Sequence, residues 1–519
     1  MHPTIDKLFA QWRTLETIER QPGGVPDYSA AAMARRAQSV QDWLAQIEAL
    51  DTQGLDIADQ VDLQLIRAET RGAIFNLQVL QPWARDPAFF KSLWTEQSDV
   101  PDHEGPTHDA AIELWQYVFP LSDADATRLA GALHGIAPLL TQARSTLTGN
   151  AADLWRAGIA VMQEQAQDLA QLAITNEVAM HPALVEAIAQ AQKATLSFVL
   201  WLREQLPSKS GASGIGKENY SRYLREVHLV PLDWAAEETL LKRELARAHA
   251  SLRLEEHRNR HLPPLQPIAT AQEYAERVDT SVRKYMDFLR ERQILPIRDY
   301  MEPALRAHTG VFVPAENRNF FAIARHHEPM VLWCHWYHWF EVAQAVHEPN
   351  LRIARRGALR YNIFDSRAEG FATAMEEMMM HAGLYDDNPR AREVVWVMLA
   401  QRAARGLASL YAHANTMTLE EAQDFHVRHT PRGWMRADLP LLQFEQHLYL
   451  RQPGYGTSYV TGKHLVEQLL ADYAAQRTAD FALSDFFAAI NASGIIPVSL
   501  LRWELTGQDD DVRAMGMLD

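Results

Sequence analysis

Residues 31–49 read AAMARRAQSVQDWLAQIEA, where Ala, Gln, Arg and Leu dominate and apolar residues recur at intervals of three and four. This spacing places the apolar side chains on one face of an α-helix. Asp233 and Thr270 precede two similar stretches and are expected to act as N-caps. The same helical pattern recurs over residues 124–146, 151–173, 181–206, 233–261 and 271–293.

Alternating strand patterns are scarce in this chain. The best candidates are residues 310–313 (GVFV) and 318–323 (RNFFAI). We therefore predict a mainly α fold with at most a small β-sheet. Small and polar residues at 207–216 (PSKSGASGIG) indicate a linker, which divides the chain into an N-terminal helical lobe at 1–207 and a C-terminal helical lobe at 216–519. The linker is too short to imply independent domains.

Composition excludes several classes of protein. Of the 519 residues, 47% are hydrophobic and 22% are charged, which is ordinary for a folded globular chain. The net charge of −16 would repel a phosphate backbone, so we expect no nucleic-acid partner. No apolar run reaches the ~20 residues of a membrane span, and no signal peptide is recognised, so we predict a cytoplasmic protein without a membrane partner. Cys334 is the only cysteine, which excludes an intrachain disulfide and a cysteine-based zinc site.

Histidines and aromatic residues crowd positions 326–348, which read HHEPMVLWCHWYHWFEVAQAVHE. On a helix, His335, His338 and Glu341 follow at intervals of three and share one face. Imidazole and carboxylate groups are natural ligands of zinc or iron. The neighbouring tryptophans would keep this face dry, where polar groups need partners or a metal ion. The alternative is a set of hydrogen-bonded core histidines, since the HExxH motif is absent.

A second cluster of ionisable residues lies at 369–381. Glu369 and Glu376 are seven residues apart, and Glu377 and His381 are four apart, so each pair shares a helix face. Glu residues facing a His-bearing helix are typical of one-metal and two-metal sites. The alternative is an amphipathic helix with packed Met residues and solvated Glu residues. A helical di-iron carboxylate site would use His338, Glu341, Glu369, Glu377 and His381.

A third segment, 445–462, contains Pro453-Gly454-Tyr455-Gly456, whose composition predicts a loop. Tyr449, Tyr455 and Tyr459 surround this loop, and His447 is nearby. Tyrosine hydroxyls can donate to a developing oxyanion. Alternatively, the rings pack in the interior and only the hydroxyls are hydrated. The motifs of serine hydrolases and nucleotide-binding proteins are absent.

Together these clusters resemble the bacterial domain of unknown function 885 family, whose hallmarks are HExxPGH, then an EGW segment, then a PGQ segment. That family is similar to the helical carboxypeptidase Taq and neurolysin-like zinc peptidases. EGFATAMEE at 369–377, followed by GLYDD at 383–387, resembles EGWALYAE followed by GLY. The resemblance continues in DIADQVDLQLIRAE (56–69), LQPWARDPAFF (80–90), GKENYSRYLREVHL (216–229), PGYGTSYVTG (453–462) and ASGIIPVSLL (492–501).

The HExxPGH hallmark is altered in this chain. The family's spacing from Glu369 places the motif on residues 335–341. His335 is then kept, Trp336 replaces the general-base Glu, and Glu341 replaces the second His. The spacing of six between His335 and Glu341 implies that Glu341 has taken over the ligand role of that second His.

A second register of the motif uses His347-Glu348, which restores the HE pair. It shortens the distance to the EGW-like segment and supplies no second His, so we rank it lower. Elsewhere His413 and Tyr459 match the family's motifs. The Arg before Tyr449 is lost, and Tyr455 replaces the Gln of PGQ.

The resemblance implies a two-lobed helical scaffold like that of the zinc peptidases, with a central cleft. It implies a diverged metal-dependent hydrolase, or another enzyme, that acts on an amide- or carboxylate-containing small molecule or peptide, with one divalent ion (Zn, Mn or Fe) or none. Because Trp336 cannot take a proton from water, the alternative is a catalytically inactive pseudoenzyme or binding protein. The implied roles are metal ligation by His335, His338, Glu341 and Glu369, catalysis by Glu341, His413, Tyr449 and Tyr459, and substrate binding by Tyr455 and His447.

Overall fold

The computed structural model describes residues 3–99, 105–175, 178–357, 359–361 and 365–518. Over these residues the protein is mainly α-helical, as predicted, and the sheet is one parallel pair of two-residue strands. The strands are β1 Leu93–Trp94 and β2 Ile112–Glu113.

The helices before the predicted linker are α1 Pro3–Leu15, α2 Ala30–Glu48, α3 Ile57–Phe75, α4 Pro82–Arg85, α5 Asp123–His134, α6 Ile136–Thr146, α7 Ala152–Ala173 and α8 Pro182–Gln205. The helices after the linker are α9 Lys217–Tyr223, α10 Trp234–Arg258, α11 Ala271–Glu291, α12 Met301–Ala307, α13 Phe320–His327, α14 Pro329–His335, α15 Tyr337–His347, α16 Asp365–His381, α17 Ala391–His413, α18 Leu419–His429, α19 Pro440–Arg451, α20 Tyr455–Arg477, α21 Leu483–Ser493, α22 Val498–Thr506 and α23 Asp510–Ala514.

Local sequence signals account for several helix starts. The predicted caps are confirmed, since the Asp233 and Thr270 side chains accept hydrogen bonds from the third backbone N–H that follows each of them. The pattern at 124–146 is one stretch in the sequence but two helices in the structure, α5 and α6, which meet at Gly135.

The predicted strands at 310–313 and 318–323 are wrong. The first segment is an irregular connection. In the second, Asn319 Oδ1 accepts a hydrogen bond from the Ala322 backbone N–H and begins α13. The N-cap therefore outweighs the short aromatic and β-branched pattern that suggested a strand.

The apolar core forms two large clusters. One cluster is built from side chains between Ile5 and Leu202, and the other draws mainly on the chain after Ile215. Helix α3 contributes to both, because Leu63 and Ile66 pack in the first cluster while Val61 and Leu65 pack in the second. The boundary of the two lobes at the linker stays a prediction.

Length and composition give little sign of a membrane-crossing element. Among the described residues no individual helix is long and apolar enough to cross a bilayer. In the described parts of the chain, α21 and α22 meet both criteria when they are taken together, with a bend of 117° at the break between them.

Two glycines allow α16 and α20 to touch backbone to backbone. A Cβ placed on Gly462 would overlap the Ser366 carbonyl oxygen, and one placed on Gly370 would overlap the Gly462 backbone. Any side chain at either position would push the helices apart. This contact sets the distance between the two helices near the EGW-like and PGQ-like segments.

We predict that Gly462→Ala destabilises the protein by roughly 1–3 kcal/mol or more, because the added methyl group overpacks the contact between α16 and α20. Thermal unfolding followed by circular dichroism measures the effect. Gly131→Ala is the matched control, since a Cβ at that exposed position in α5 meets nothing within 4 Å. The control should be stabilised by about 0.5–1 kcal/mol. Equal melting temperatures for Gly462→Ala and wild type would contradict this account of the contact.

Candidate metal centre

Three helices bring together the side chains that the sequence singled out. His335 is the last residue of α14, His338 is the second residue of α15, and Glu369 lies in the first half of α16. The single helix on which His335, His338 and Glu341 would share a face is interrupted at Trp336, where ψ is 22°. The break leaves the two imidazole rings nearly perpendicular, with centroids 5.2 Å apart.

The three side chains converge on one point. Glu369 Oε2 lies 3.2 Å from His338 Nε2 and 3.4 Å from His335 Nε2. One ligand atom from each residue lies within 4.8 Å of the other two, and all three residues are buried. Two imidazole nitrogens and one carboxylate oxygen match a common donor set of catalytic zinc sites. Among the described residues, this is the group of ionisable side chains that could hold a metal ion.

Two tyrosines on helix α20 donate hydrogen bonds to Glu369. The Tyr455 and Tyr459 hydroxyls each donate to Glu369 Oε1 at 2.7 Å, which leaves Oε2 to the histidines. The predicted loop around 453–456 is shorter than expected, because α20 begins at Tyr455 immediately after Gly454, which has φ of +83°. Both tyrosines therefore sit on a rigid helix and orient the carboxylate.

The opposite face of α20 is held by a buried carboxylate on α10. Glu237 accepts hydrogen bonds from Thr457, Thr461 and Tyr220. Thr457 and Thr461 alternate with the two tyrosines along the helix, so the threonines face Glu237 while the tyrosines face Glu369. Burial raises the pKa of Glu237 to about 7, even though the three hydroxyl donors favour its ionised form.

His335 Nδ1 has two partners of opposite charge, a carboxylate and a guanidinium. His335 Nδ1 lies 3.2 Å from Glu376 Oε1 and 3.1 Å from Arg402 Nη2, and Arg402 is itself paired with Glu376. Nδ1 can accept from Arg402 or donate to Glu376, depending on the tautomer. Only donation to Glu376 leaves the Nε2 lone pair available to a metal ion, and such a carboxylate partner is typical of metal-bound histidine.

Charge is balanced inside the cluster. Burial alone would raise the pKa of Glu369, but the His338 charge and hydrogen bonds from both histidines lower it well below its usual range. Burial opposes protonation of His338, but the Glu369 carboxylate raises the pKa of His338 to about 9. Without a metal ion the cluster is therefore held together as an ion pair.

A pocket of about 190 Å³ opens beside the cluster. His335, Trp336, Glu369 and Tyr449 are among the residues that line it. Asp99 lies in the connection between β1 and β2, and it lines the same pocket from the N-terminal part of the chain. Burial, and then the Glu369 charge, raise the pKa of Asp99, although His338 opposes this shift. Nothing in the local sequence around Asp99 indicated this position.

Glu341 does not join the cluster. Its Oε1 pairs with Arg367 Nη2 at 2.5 Å, and it lines a different pocket. The geometry therefore gives no support to the ligand and catalytic roles expected of Glu341. The alternative register also lies elsewhere, because the exposed His347 ring stacks on Tyr300 and Glu348 pairs with Arg298.

The remaining predicted residues lie outside the cluster. His413 Nε2 lies 2.8 Å from the Tyr449 carbonyl oxygen, and burial lowers the pKa of His413 to about 4. Burial lowers the pKa of His447 likewise to about 4, and neither histidine lines the pocket. Glu377 pairs with Arg247 at 2.7 Å and His381 is mostly exposed, so the expected di-iron set does not assemble.

Comparison with known proteins gives a family and a fold. A family model described as "Bacterial protein of unknown function (DUF885)" matches residues 14–310 and 338–505. The unmatched stretch between them contains His335 and Trp336, where the hallmark is altered. No curated protein matches the chain significantly.

Two solved structures are similar over nearly their whole length. One is described as "a putative lipoprotein of unknown function from Shewanella oneidensis", with 13% identity, a TM-score of 0.68 and coverage of 96% of this chain and 97% of that one. The other is described as "the putative lipoprotein from Colwellia psychrerythraea", with 12% identity, a TM-score of 0.66 and coverage of 98% and 99%. At this identity the likeness shows the fold alone.

The buried carboxylate behind α20 predicts a specific pH dependence. Because the pKa of Glu237 is about 7 in the folded protein and about 4.5 when unfolded, the folded state binds this proton more tightly. Wild type should therefore lose stability relative to Glu237→Gln as pH rises from 4.5 to 7. Above pH 7 the difference in stability between the two proteins should stay constant. Melting temperatures of both proteins across this range measure the effect. Parallel curves, or a relative gain by wild type, would show that Glu237 is ionised in the folded state throughout.

Proposed function

This chain belongs to the DUF885 family of bacterial proteins of unknown function, and we propose that it is a metal-dependent hydrolase that cleaves an amide bond in a small molecule or peptide. The observation that carries the proposal is the convergence of His335 Nε2, His338 Nε2 and Glu369 Oε2 beside a pocket. The products of such a reaction are a carboxylic acid and an amine. A cytoplasmic location stays a prediction.

The residues present fit one divalent ion. Two of the three ligand side chains have partners that would orient them: Glu376 faces His335 Nδ1, and the two tyrosines on α20 hold Glu369 Oε1. The pocket leaves one side of the group open for a substrate. When bound, a divalent ion supplies Lewis acidity that polarises a carbonyl group and makes water more acidic.

Asp99 is the proposed proton acceptor. The family's general-base Glu is Trp336 here, so a different carboxylate must take the proton from the attacking water. Asp99 shares the pocket with His335 and Trp336, and its charge interacts with those of the ligand residues. Trp336 and the burial of the three ligands keep bulk water away from the reacting groups.

The tyrosines have separate proposed roles. Tyr455 and Tyr459 already donate to Glu369, so they act by holding this ligand rather than by stabilising an oxyanion. Tyr449 lines the pocket and stays the proposed oxyanion donor.

The loss of the HE glutamate favours a second function, a metal-containing binding protein, if Asp99 does not act as a base.

Metal binding should separate the true ligands from Glu341. Titrating Zn²⁺ or Mn²⁺ into metal-free protein should raise the melting temperature of wild type, because the ion binds the folded state. His338→Gln and Glu369→Gln should lose most of this rise. Glu341→Gln is the control, since it breaks the pair with Arg367 but touches no ligand. A rise retained in His338→Gln would remove His338 from the ligand set, and a rise lost only in Glu341→Gln would move the site to Glu341.

Loss of Asp99 should slow turnover strongly without abolishing metal binding. A panel of amide and peptide substrates, followed by amine release, identifies an activity of the zinc-loaded protein. Asp99→Asn should then reduce kcat by about 10²–10⁴-fold, as expected for a general base. Glu96→Gln, an exposed carboxylate in the same connection, is the matched control. Full activity of Asp99→Asn would place the base elsewhere, and no hydrolysis by wild type would favour the binding protein.

A further inference from the structure

Arg405 on α17 is a buried guanidinium with unused hydrogen-bond donors. The residue is 1% exposed. Its Nη1 donates to Glu445 Oε1 at 2.6 Å, but Nε and Nη2 find no partner among the described residues. A buried N–H group without an acceptor costs free energy, and for a charged group the cost is larger. These donors are therefore suited to a group that arrives from outside the protein.

Arg405 lies close to the candidate metal centre. It lines the same pocket as His335 and Glu369. Its Cζ lies 3.7 Å from the centre of the Tyr459 ring, and the hydroxyl of that tyrosine donates to Glu369. One tyrosine side chain thus separates Arg405 from a proposed metal ligand, and the guanidinium lies over the ring of that tyrosine.

A second arginine on the same helix shows the contrast. Arg402, one turn earlier, gives Nη1 to Glu376 and places Nη2 between Glu376 and His335. Both of its terminal nitrogens are used within the protein, to hold a partner of a proposed ligand, and only its Nε has no partner among the described residues. Arg405 has a similar carboxylate, Glu445, at one nitrogen only. The two arginines therefore have different roles, although both are buried in the same helix.

The pocket's charge and size restrict what Arg405 would bind. Arg325 and Arg405 line the pocket against the carboxylates Asp99, Glu369 and Glu445. These five side chains sum to one net negative charge. A divalent ion would change the sum to one net positive charge, which attracts an anion. The volume of about 190 Å³ is smaller than typical drug-sized sites, so the pocket accommodates a unit of amino-acid size.

We propose that Arg405 binds a free carboxylate of the substrate, so that the protein acts on small amides that carry such a carboxylate close to the bond to be cleaved. A carboxylate matches the planar fork of a guanidinium, and charge-assisted bonds of this kind are strong and directional. Arg405 is thus a specificity-determining residue. This inference rests on the proposed metal-dependent function and names its substrate class.

Two hydroxamates of matched shape test the proposal by calorimetry on zinc-loaded protein. Succinic monohydroxamate carries a carboxylate, and 4-methylpentanohydroxamate replaces it with an isopropyl group. Wild type should bind the carboxylate probe tighter by on the order of tenfold or more, the factor expected for charge-assisted hydrogen bonds. Arg405→Met combined with Glu445→Gln removes the buried pair together, which avoids an unpaired charge. This double variant should bind both probes equally.

Arg405→Lys is a second variant that keeps the charge. It should retain only part of the preference, because an ammonium group cannot form the two parallel bonds of a guanidinium. Equal affinity of wild type for the two probes, with the neutral probe bound, would overturn the role of Arg405 and leave the metal centre intact. If neither probe binds and zinc does not bind, the proposed metal centre fails, and this inference fails with it.

Discussion

The contact between Gly370 and Gly462 is the constraint on which the candidate site depends. Glu369 directly precedes the first glycine, and Tyr459 lies one helical turn before the second. Because nothing but backbone separates α16 from α20 at this point, the hydroxyls on α20 reach the Glu369 carboxylate at 2.7 Å. The helices that carry the histidines then complete the group from the other side. Packing geometry therefore comes first, and the chemistry of the site follows from it.

Buried charge is the second organising feature. Glu369, Glu376 and Glu445 lie in the interior, and each has cationic partners there. Removing several charges from water is costly, and such groups persist only when their hydrogen bonds are nearly complete. Here the satisfaction is incomplete at Arg405, which keeps two donors without a partner among the described residues. A substrate carboxylate would accept from these donors, and a metal ion at His335 Nε2 would select the tautomer in which Nδ1 donates to Glu376.

The sequence predicts features that depend on local signals and misses those set by tertiary contact. Caps such as Asp233 and the helical periodicity were predictable, and residue types and spacing singled out His335, His338 and Glu369. The break at Trp336 was not foreseen, so Glu341 was assigned to a face that it does not share, and it pairs with Arg367 instead. Asp99 and Arg405 carry no motif, because their importance comes from long-range folding that brings them to the pocket.

The central claim is that one metal ion lies between two histidines and one glutamate. Anomalous diffraction at the zinc absorption edge, from crystals of zinc-loaded protein, tests it most directly. The account predicts a single strong peak about 2.0–2.2 Å from His335 Nε2, His338 Nε2 and a Glu369 carboxylate oxygen. The absence of a peak at that point in zinc-loaded crystals, or a peak beside Glu341 or His347, would contradict it.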